Sequence, residues 1–199
     1  TFFQPILSGI ADFSGNKKLF LRLFMYLGSF ACMSLYFFDG NNVEFGIISS
    51  VIASIGFTGS LVFYNAFLPE IASEDDLDKI SARGYTFGYI GSVILLIICL
   101  ILIQMFDVFG FKDSKSATKF TFLLVGIWWI VFSQITLYFI PQKAKKIKLN
   151  LEILSHGIKE LIKVWNYIKN VRNLKLYLFS YFFYSMGVQT IMLVASYFG

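Results

Sequence analysis

Tyr85-Thr-Phe-Gly-Tyr-Ile-Gly-Ser-Val-Ile-Leu-Leu-Ile-Ile-Cys-Leu-Ile-Leu-Ile-Gln-Met-Phe106 contains no charged residue from end to end. At about 1.5 Å per residue, a helix over this run is as long as the hydrocarbon core of a bilayer is thick. A helix also satisfies its own backbone N–H and C=O groups where no water can reach them. Similar runs lie on both sides of it. Phe120–Ile140 has no charge, Glu44–Leu68 has only Glu44 at its edge, and Leu19–Phe38 has only Arg22. Leu174–Gly199 carries Lys175 at its start and none after it. With Gly84–Phe106 these make five expected spans. The apolar stretch Thr1–Ala11 reads as the tail of a sixth whose beginning lies outside the sequence, and the whole as a piece of a longer protein.

The composition agrees. Hydrophobic residues make up 57% of the 199, charged residues only 15%, and 24 are phenylalanine. The mean hydropathy is +0.69. A soluble domain carries roughly 25% charged residues to coat its surface, so a soluble enzyme, a disordered chain and a nucleic-acid-binding domain are all excluded. Cys32 and Cys99 both sit inside apolar runs and are too few for a disulfide framework. The expected fold is all-α, a polytopic helical bundle with the lipid bilayer as its surroundings.

Lysine and arginine set the orientation, because cytoplasmic loops carry their excess. Fourteen of the 17 fall on one set of alternate loops, including Lys17, Lys18, Lys79, Arg83 and nine between Lys143 and Lys175. Lys112, Lys115 and Lys119 fall on the other. Loops 12–18, 69–83 and 141–175 are therefore expected in the cytoplasm. The net charge of +5 then reflects topology and attraction to anionic headgroups, not a nucleic-acid footprint.

Between the spans, Phe38-Asp-Gly-Asn-Asn-Val43 reads as a tight hairpin turn. Pro69 closes the second span. Ser73-Glu-Asp-Asp76 has the spacing of a helix cap in which the hydroxyl accepts backbone N–H groups. Glu70, Glu74, Asp75, Asp76 and Asp78 read as a solvated loop rather than a metal or catalytic site. Leu151, Leu154, Ile158, Leu161, Ile162, Trp165 and Ile168 recur at helical spacing and predict an amphipathic helix lying in the headgroup plane. His156 has no ligand-spaced partner and receives no role. Gly84, Gly88 and Gly91, followed by Ser92, share one helix face and predict close packing against another helix. Gly56, Gly59 and Ser60 give the second span a similar narrow waist.

Ser8-Gly-Ile-Ala-Asp12-Phe-Ser-Gly15-Asn-Lys17-Lys18 resembles the loop between helices two and three of the major facilitator superfamily, Gly-x-Leu-Ala-Asp-Arg-x-Gly-Arg-Arg. It departs from that pattern at Ser8, Phe13 and Asn16. Gly59-Ser-Leu-Val-Phe-Tyr-Asn-Ala-Phe-Leu-Pro-Glu-Ile-Ala72 and Ile80-Ser-Ala-Arg-Gly-Tyr-Thr-Phe-Gly-Tyr-Ile-Gly-Ser92 are similar to a signature of one branch, the vacuole-effluxer-like family. Trp128-Trp129 with Phe132, and Tyr184-Ser-Met-Gly-Val-Gln-Thr-Ile191, are similar to it as well. The resemblance is to bacterial-type members. It implies an inner (plasma) membrane location, and makes the five spans helices three to seven of twelve. Residues 1–140 would belong to the N-terminal half, 141–173 to a cytoplasmic central loop, and 174–199 to the first helix of the C-terminal half.

The same resemblance implies a solute transporter working by alternating access, exporting amino acids or another small metabolite. Asp12, Gly15, Lys17 and Lys18 would form the loop that locks one state. Helices four and seven would line the solute path, which singles out Ser54, Thr58, Tyr64 and Asn65 with Tyr184, Gln189 and Thr190. It also implies an acid where Met186 stands here, so any coupling carboxylate is expected outside this sequence. The partners expected are a small-molecule solute, lipid and the remaining helices of the same transporter, with no cofactor, metal or nucleic acid. The competing classes are a non-transporting scaffold or receptor, and a membrane enzyme. The enzyme reading needs working pairs of His, Asp, Ser or Cys that the spans do not supply by spacing. A reporter inserted in the loop 141–175 should be accessible only from the cytoplasm, and one placed beside Gly40 only from outside. Reversal of that pattern would overturn the orientation.

Overall fold

The computed structural model describes residues 17–140, 166 and 169–198. The chain divides into two units, 1–150 and 151–199. The loop residues Asp12 and Gly15, and the amphipathic segment from Leu151 through Trp165, lie outside the described residues.

In the first unit, helix α1 spans Lys17–Ser34 and tightens into a 3-10 turn at Leu35–Phe37. Helix α2 spans Val43–Asn65 and is followed by one turn at Leu68–Ile71, with Pro69 in its first turn, where a missing N–H costs nothing. Helix α3 spans Leu77–Gln104 after a 3-10 turn at Glu74–Asp76, and α4 spans Ser114–Phe139. Among the described residues, four stretches are long and apolar enough to cross a membrane: Lys17–Phe37, Val43–Ile71, Glu74–Gln104 and Ser114–Phe139. The protein is an integral membrane protein. In the second unit, α5 is one continuous helix over Arg172–Phe198, its apolar run interrupted by Tyr177, Ser180, Tyr181, Tyr184, Ser185 and Thr190.

The loops cap these helices with their own side chains. Gly40 takes φ +94°, which a Cβ would strain, and this turns the chain out of α1. Asn42 Oδ1 then accepts the Phe45 N–H at 3.1 Å, and Asp113 Oδ1 accepts the Ser116 N–H at 2.7 Å, capping α2 and α4. The Ser116 bonds hold the Asp113 carboxyl below its usual range, and the Asn41 N–H does the same for Asp39. Ser73 behaves differently from expectation. Its hydroxyl donates to the Asp76 carboxylate at 3.1 Å instead of accepting backbone N–H groups. A carboxylate one turn away is the stronger acceptor and takes the proton.

Helix α1 is the hub of the first unit, packing against both α2 and α4, while α3 packs against α4. Lipid is as apolar as the side chains, so close fit rather than hydrophobic expulsion holds the helices together. The fit is made by glycine. A Cβ on Gly28 would lie 3.2 Å from Gly56 Cα and 2.7 Å from Trp129 Cζ3. A Cβ on Gly56 would fall 2.8 Å from Phe24 O and closer still to the Gly28 backbone. On α4, a Cβ on Gly126 would meet Ser29 O at 2.9 Å and press into Met33. About two turns toward the Lys17 end, Phe63 is fully buried, its ring stacked on Phe20 at 5.2 Å and on Phe24 at 5.7 Å between centroids. Leu21, Met25, Phe67 and Leu137 complete this core. Ser29, also fully buried, returns its hydroxyl to Met25 O at 2.8 Å, so no polar group is stranded there.

The Gly56 contact is to backbone, which cannot yield. Gly56→Ala should therefore lower the melting temperature of the detergent-solubilised full-length protein, overpacking costing about 1–3 kcal/mol. Helix propensity alone would instead raise stability by roughly 1 kcal/mol, so a higher melting temperature would refute the close crossing.

Candidate solute cavity and helix-end clamps

Where α2 and α4 end and α3 begins, the helices part. Between them is a cavity of about 650 Å³, whose apolar wall comes from Phe57, Leu61, Phe67, Leu68, Ile80 and Phe139. Its polar groups among the described residues are Tyr64 and Asn65 from α2, Ser81, Tyr85, Tyr89 and Ser92 from α3, and Thr136 from α4, all uncharged. Ser92 donates to Gly88 O at 2.8 Å and Thr136 to Phe132 O at 3.4 Å, so both hydroxyls keep lone pairs for another donor. A smaller cavity of about 140 Å³ lies beside it, lined by Tyr64, Ser60, Trp129 and Ser133 among others.

The glycine stripe faces this space. Gly84 and Gly88 line the cavity, and only the Tyr64 hydroxyl approaches Gly84, 3.0 Å from where its Cβ would be. Around Gly88 and Gly91 an added Cβ would meet nothing within 4 Å. Among the described residues, then, the close crossings fall at Gly28, Gly56, Gly59 and Gly126, while the stripe on α3 gives width to a cavity. The reason is that α1, not α3, packs along α2.

Of the other sequence candidates, Tyr64 and Asn65 are brought together on the cavity wall. Thr58 is half-buried and lines neither cavity. Ser54 is exposed and spends its hydroxyl on Ser50 O at 2.9 Å. Tyr184 and Thr190 lie exposed on α5 in the second unit, and the Gln189 side chain is outside what is described. Ser81 and Thr136 were missed. They lie on α3 and α4, which the sequence reading did not assign to the solute path, and only the fold brings them to one space with Tyr64.

At the same end, Lys17 and Lys18 do more than anchor in headgroups. Lys17 Nζ donates to Ala66 O at 3.0 Å and pairs with Glu70 Oε1 at 2.9 Å. Lys18 Nζ donates to Ile140 O at 2.8 Å. Each ammonium thus caps the negative C-terminal end of a neighbouring helix, where orphan carbonyls need donors. At the opposite end Lys115 Nζ donates to Asp39 O at 2.7 Å, tying the start of α4 to the α1–α2 turn. Lysines 17 and 18 sit at one end of the bundle and Lys115 at the other, the same two groups into which alternate loops sort them.

The whole chain, residues 1–199, matches the model of the family described as vacuole effluxer Atg22 like. It is 33% identical over 196 residues to an uncharacterised MFS-type transporter, YxiO, of Bacillus subtilis, covering 98% of this chain and 46% of that protein. It is 24% identical over 182 residues to autophagy-related protein 22 of Pyricularia oryzae, covering 64% of this chain and 26% of that one. The chain thus spans less than half the length of these relatives. No solved structure matches it. A four-span helical unit, a cavity lined by uncharged polar groups, and a match running from the first residue to the last lead to one assignment: the chain belongs to the vacuole effluxer Atg22-like family.

Proposed function

We propose that this chain is part of a solute transporter of the major facilitator type that exports a small uncharged or zwitterionic metabolite, amino acids being the favoured class. The observation that carries the reading is the family match over residues 1–199, whose described helices hold a cavity of about 650 Å³ with Tyr64 and Asn65 on its wall. The relative described as an MFS-type transporter supports transport, and the family's description as an effluxer supports export. The lining supports the solute class. Every polar group named on it is a hydroxyl or an amide, and such groups hydrogen-bond a neutral or zwitterionic solute without demanding a counter-charge. In this reading the helices are spans three to seven. Residues 1–140 belong to the first half, 141–173 form the cytoplasmic central loop, and 174–199 open the second half. The Bacillus relative supports a bacterial plasma membrane.

Alternating access follows if the two halves rock around a site near mid-membrane. Tyr64 and Asn65 stand close to the end of α2, so they are proposed to frame the cytoplasmic approach to that site. Tyr184, Gln189 and Thr190 are proposed to face it from the seventh span, with Thr58 deeper on the fourth. Asp12, Gly15, Lys17 and Lys18 are proposed as the loop that holds the closed state. Transport then needs no covalent chemistry.

Full-length protein in liposomes should move one or more of a panel of amino acids and small metabolites. Gly88→Trp should abolish that movement while leaving the melting temperature near wild type, because the indole would fill the cavity without touching the α1 crossings. Asn65→Ala should raise the apparent KM about threefold to tenfold, the loss of one neutral hydrogen bond of about 1 kcal/mol. Folded full-length protein that moves nothing on a broad panel would favour a scaffold or receptor. Undiminished transport by Gly88→Trp would remove the cavity from the solute path.

A further inference from the structure

Arg22 stands out on the back of the bundle. It lies on α1 a little over one turn from Lys17, roughly 7 Å along the axis at 1.5 Å per residue, inside a helix long and apolar enough to span. It is exposed, and among the described residues nothing bonds or pairs with its guanidinium. An ionised side chain within a span is costly unless it finds a partner or reaches the headgroups. Beside it, α1 and α4 enclose a groove of about 600 Å³ lined by Lys18, Arg22, Gln134, Ile135, Leu137, Tyr138 and Phe139.

The chemistry along the groove is graded. Lys18 stands at its outer end, held in place by Ile140 O with two N–H donors to spare. Arg22 follows, then the Gln134 amide, whose Nε2 donates to Tyr26 Oη at 3.0 Å and is thereby oriented. The remaining wall is Ile135, Leu137 and Phe139, with Tyr138 82% exposed beside them. No acid lines it. Two cations above an amide and a greasy floor fit a molecule with an anionic head and an apolar tail. They do not fit a free phosphate, which would leave the apolar part of the groove unused.

We propose that this groove binds the headgroup of an anionic phospholipid in the cytoplasmic leaflet. Arg22 receives the phosphate through paired N–H donors, which a planar guanidinium presents in fixed geometry. Lys18 adds a second charge-assisted bond, and an acyl chain runs along Ile135 and Phe139. The site lies between α1 and α4 and shares no polar group with the solute cavity, Phe139 bordering both. Lipid binding there is read by stability rather than by transport, so its failure is distinguishable from failure of the transport reading.

The test is the melting temperature of full-length protein in nanodiscs of phosphatidylcholine alone or with phosphatidylglycerol, with inorganic phosphate as a separate arm. Arg22→Gln is the variant, since Arg22 has no bond in the described fold to lose, and Arg22→Lys is the conservative control. Phosphatidylglycerol should raise the wild-type melting temperature by several degrees. That gain should fall by at least half in Arg22→Gln and be partly kept in Arg22→Lys, and inorganic phosphate should give none. An equal gain in wild type and Arg22→Gln, no gain over phosphatidylcholine, or full reproduction by inorganic phosphate would each overturn the assignment.

Discussion

The backbone-to-backbone approach of α1 and α2 at Gly28 and Gly56 is the constraint on which the rest of the first unit depends. Two helices in lipid gain little from hiding apolar surface, so they stay together only where their atoms meet closely over many contacts. Removing both side chains at the crossing allows that, and Trp129 closes the gap from α4. With α1 fixed against α2, its other face takes α4 through Gly126, Met33 and Ser29. Among the described residues, helix α3 then leans mainly on α4 and on the short turns at Leu68–Ile71 and Glu74–Asp76. The cavity at Tyr64 and Asn65 is what remains between a tightly paired α1–α2 and a loosely held α3.

The two ends of the unit are closed by charge and hydrogen bonding rather than packing. A spanning helix finishes with carbonyls that have no intrahelical donor and that need partners from outside the helix. Lys17 and Lys18 serve two such ends from the start of a third helix, so α1, α2 and α4 are tied at one level. Glu70 completes the arrangement by neutralising Lys17 where both are largely withdrawn from solvent. Residues 17 and 18, at the start of α1, thus hold the ends of two other helices.

Much of the architecture was legible in the residues. The expected spans 19–38, 44–68, 84–106, 120–140 and 174–199 correspond to helices 17–34, 43–65, 77–104, 114–139 and 172–198. The starts differ most at α3 and α4, where the helix begins among charged residues outside the apolar run. Hydropathy marks where lipid begins. The hydrogen-bond ladder that defines a helix runs on into the aqueous layer. The Gly40 turn was legible for the same local reason, because one residue's backbone angle decides it. The candidate cavity was half legible. Tyr64 and Asn65 could be singled out, whereas Ser81 and Thr136 could not, since membership of a cavity is a relation among three helices.

The glycines divide what the two levels decide. Sequence alone determined that small residues recur on single faces of α2 and α3, that the spans are apolar, and that the basic residues sort into two sets of loops. Each of those is a property of one segment and its solvent. Only the tertiary structure decided that Gly28 meets Gly56 while Gly88 and Gly91 face open space within the described unit, and that Lys18 caps a carbonyl 122 residues away. A stripe of small residues permits a close neighbour but does not choose one. The choice is made by whichever pairing leaves the fewest gaps across all helices at once, and no single helix carries that information.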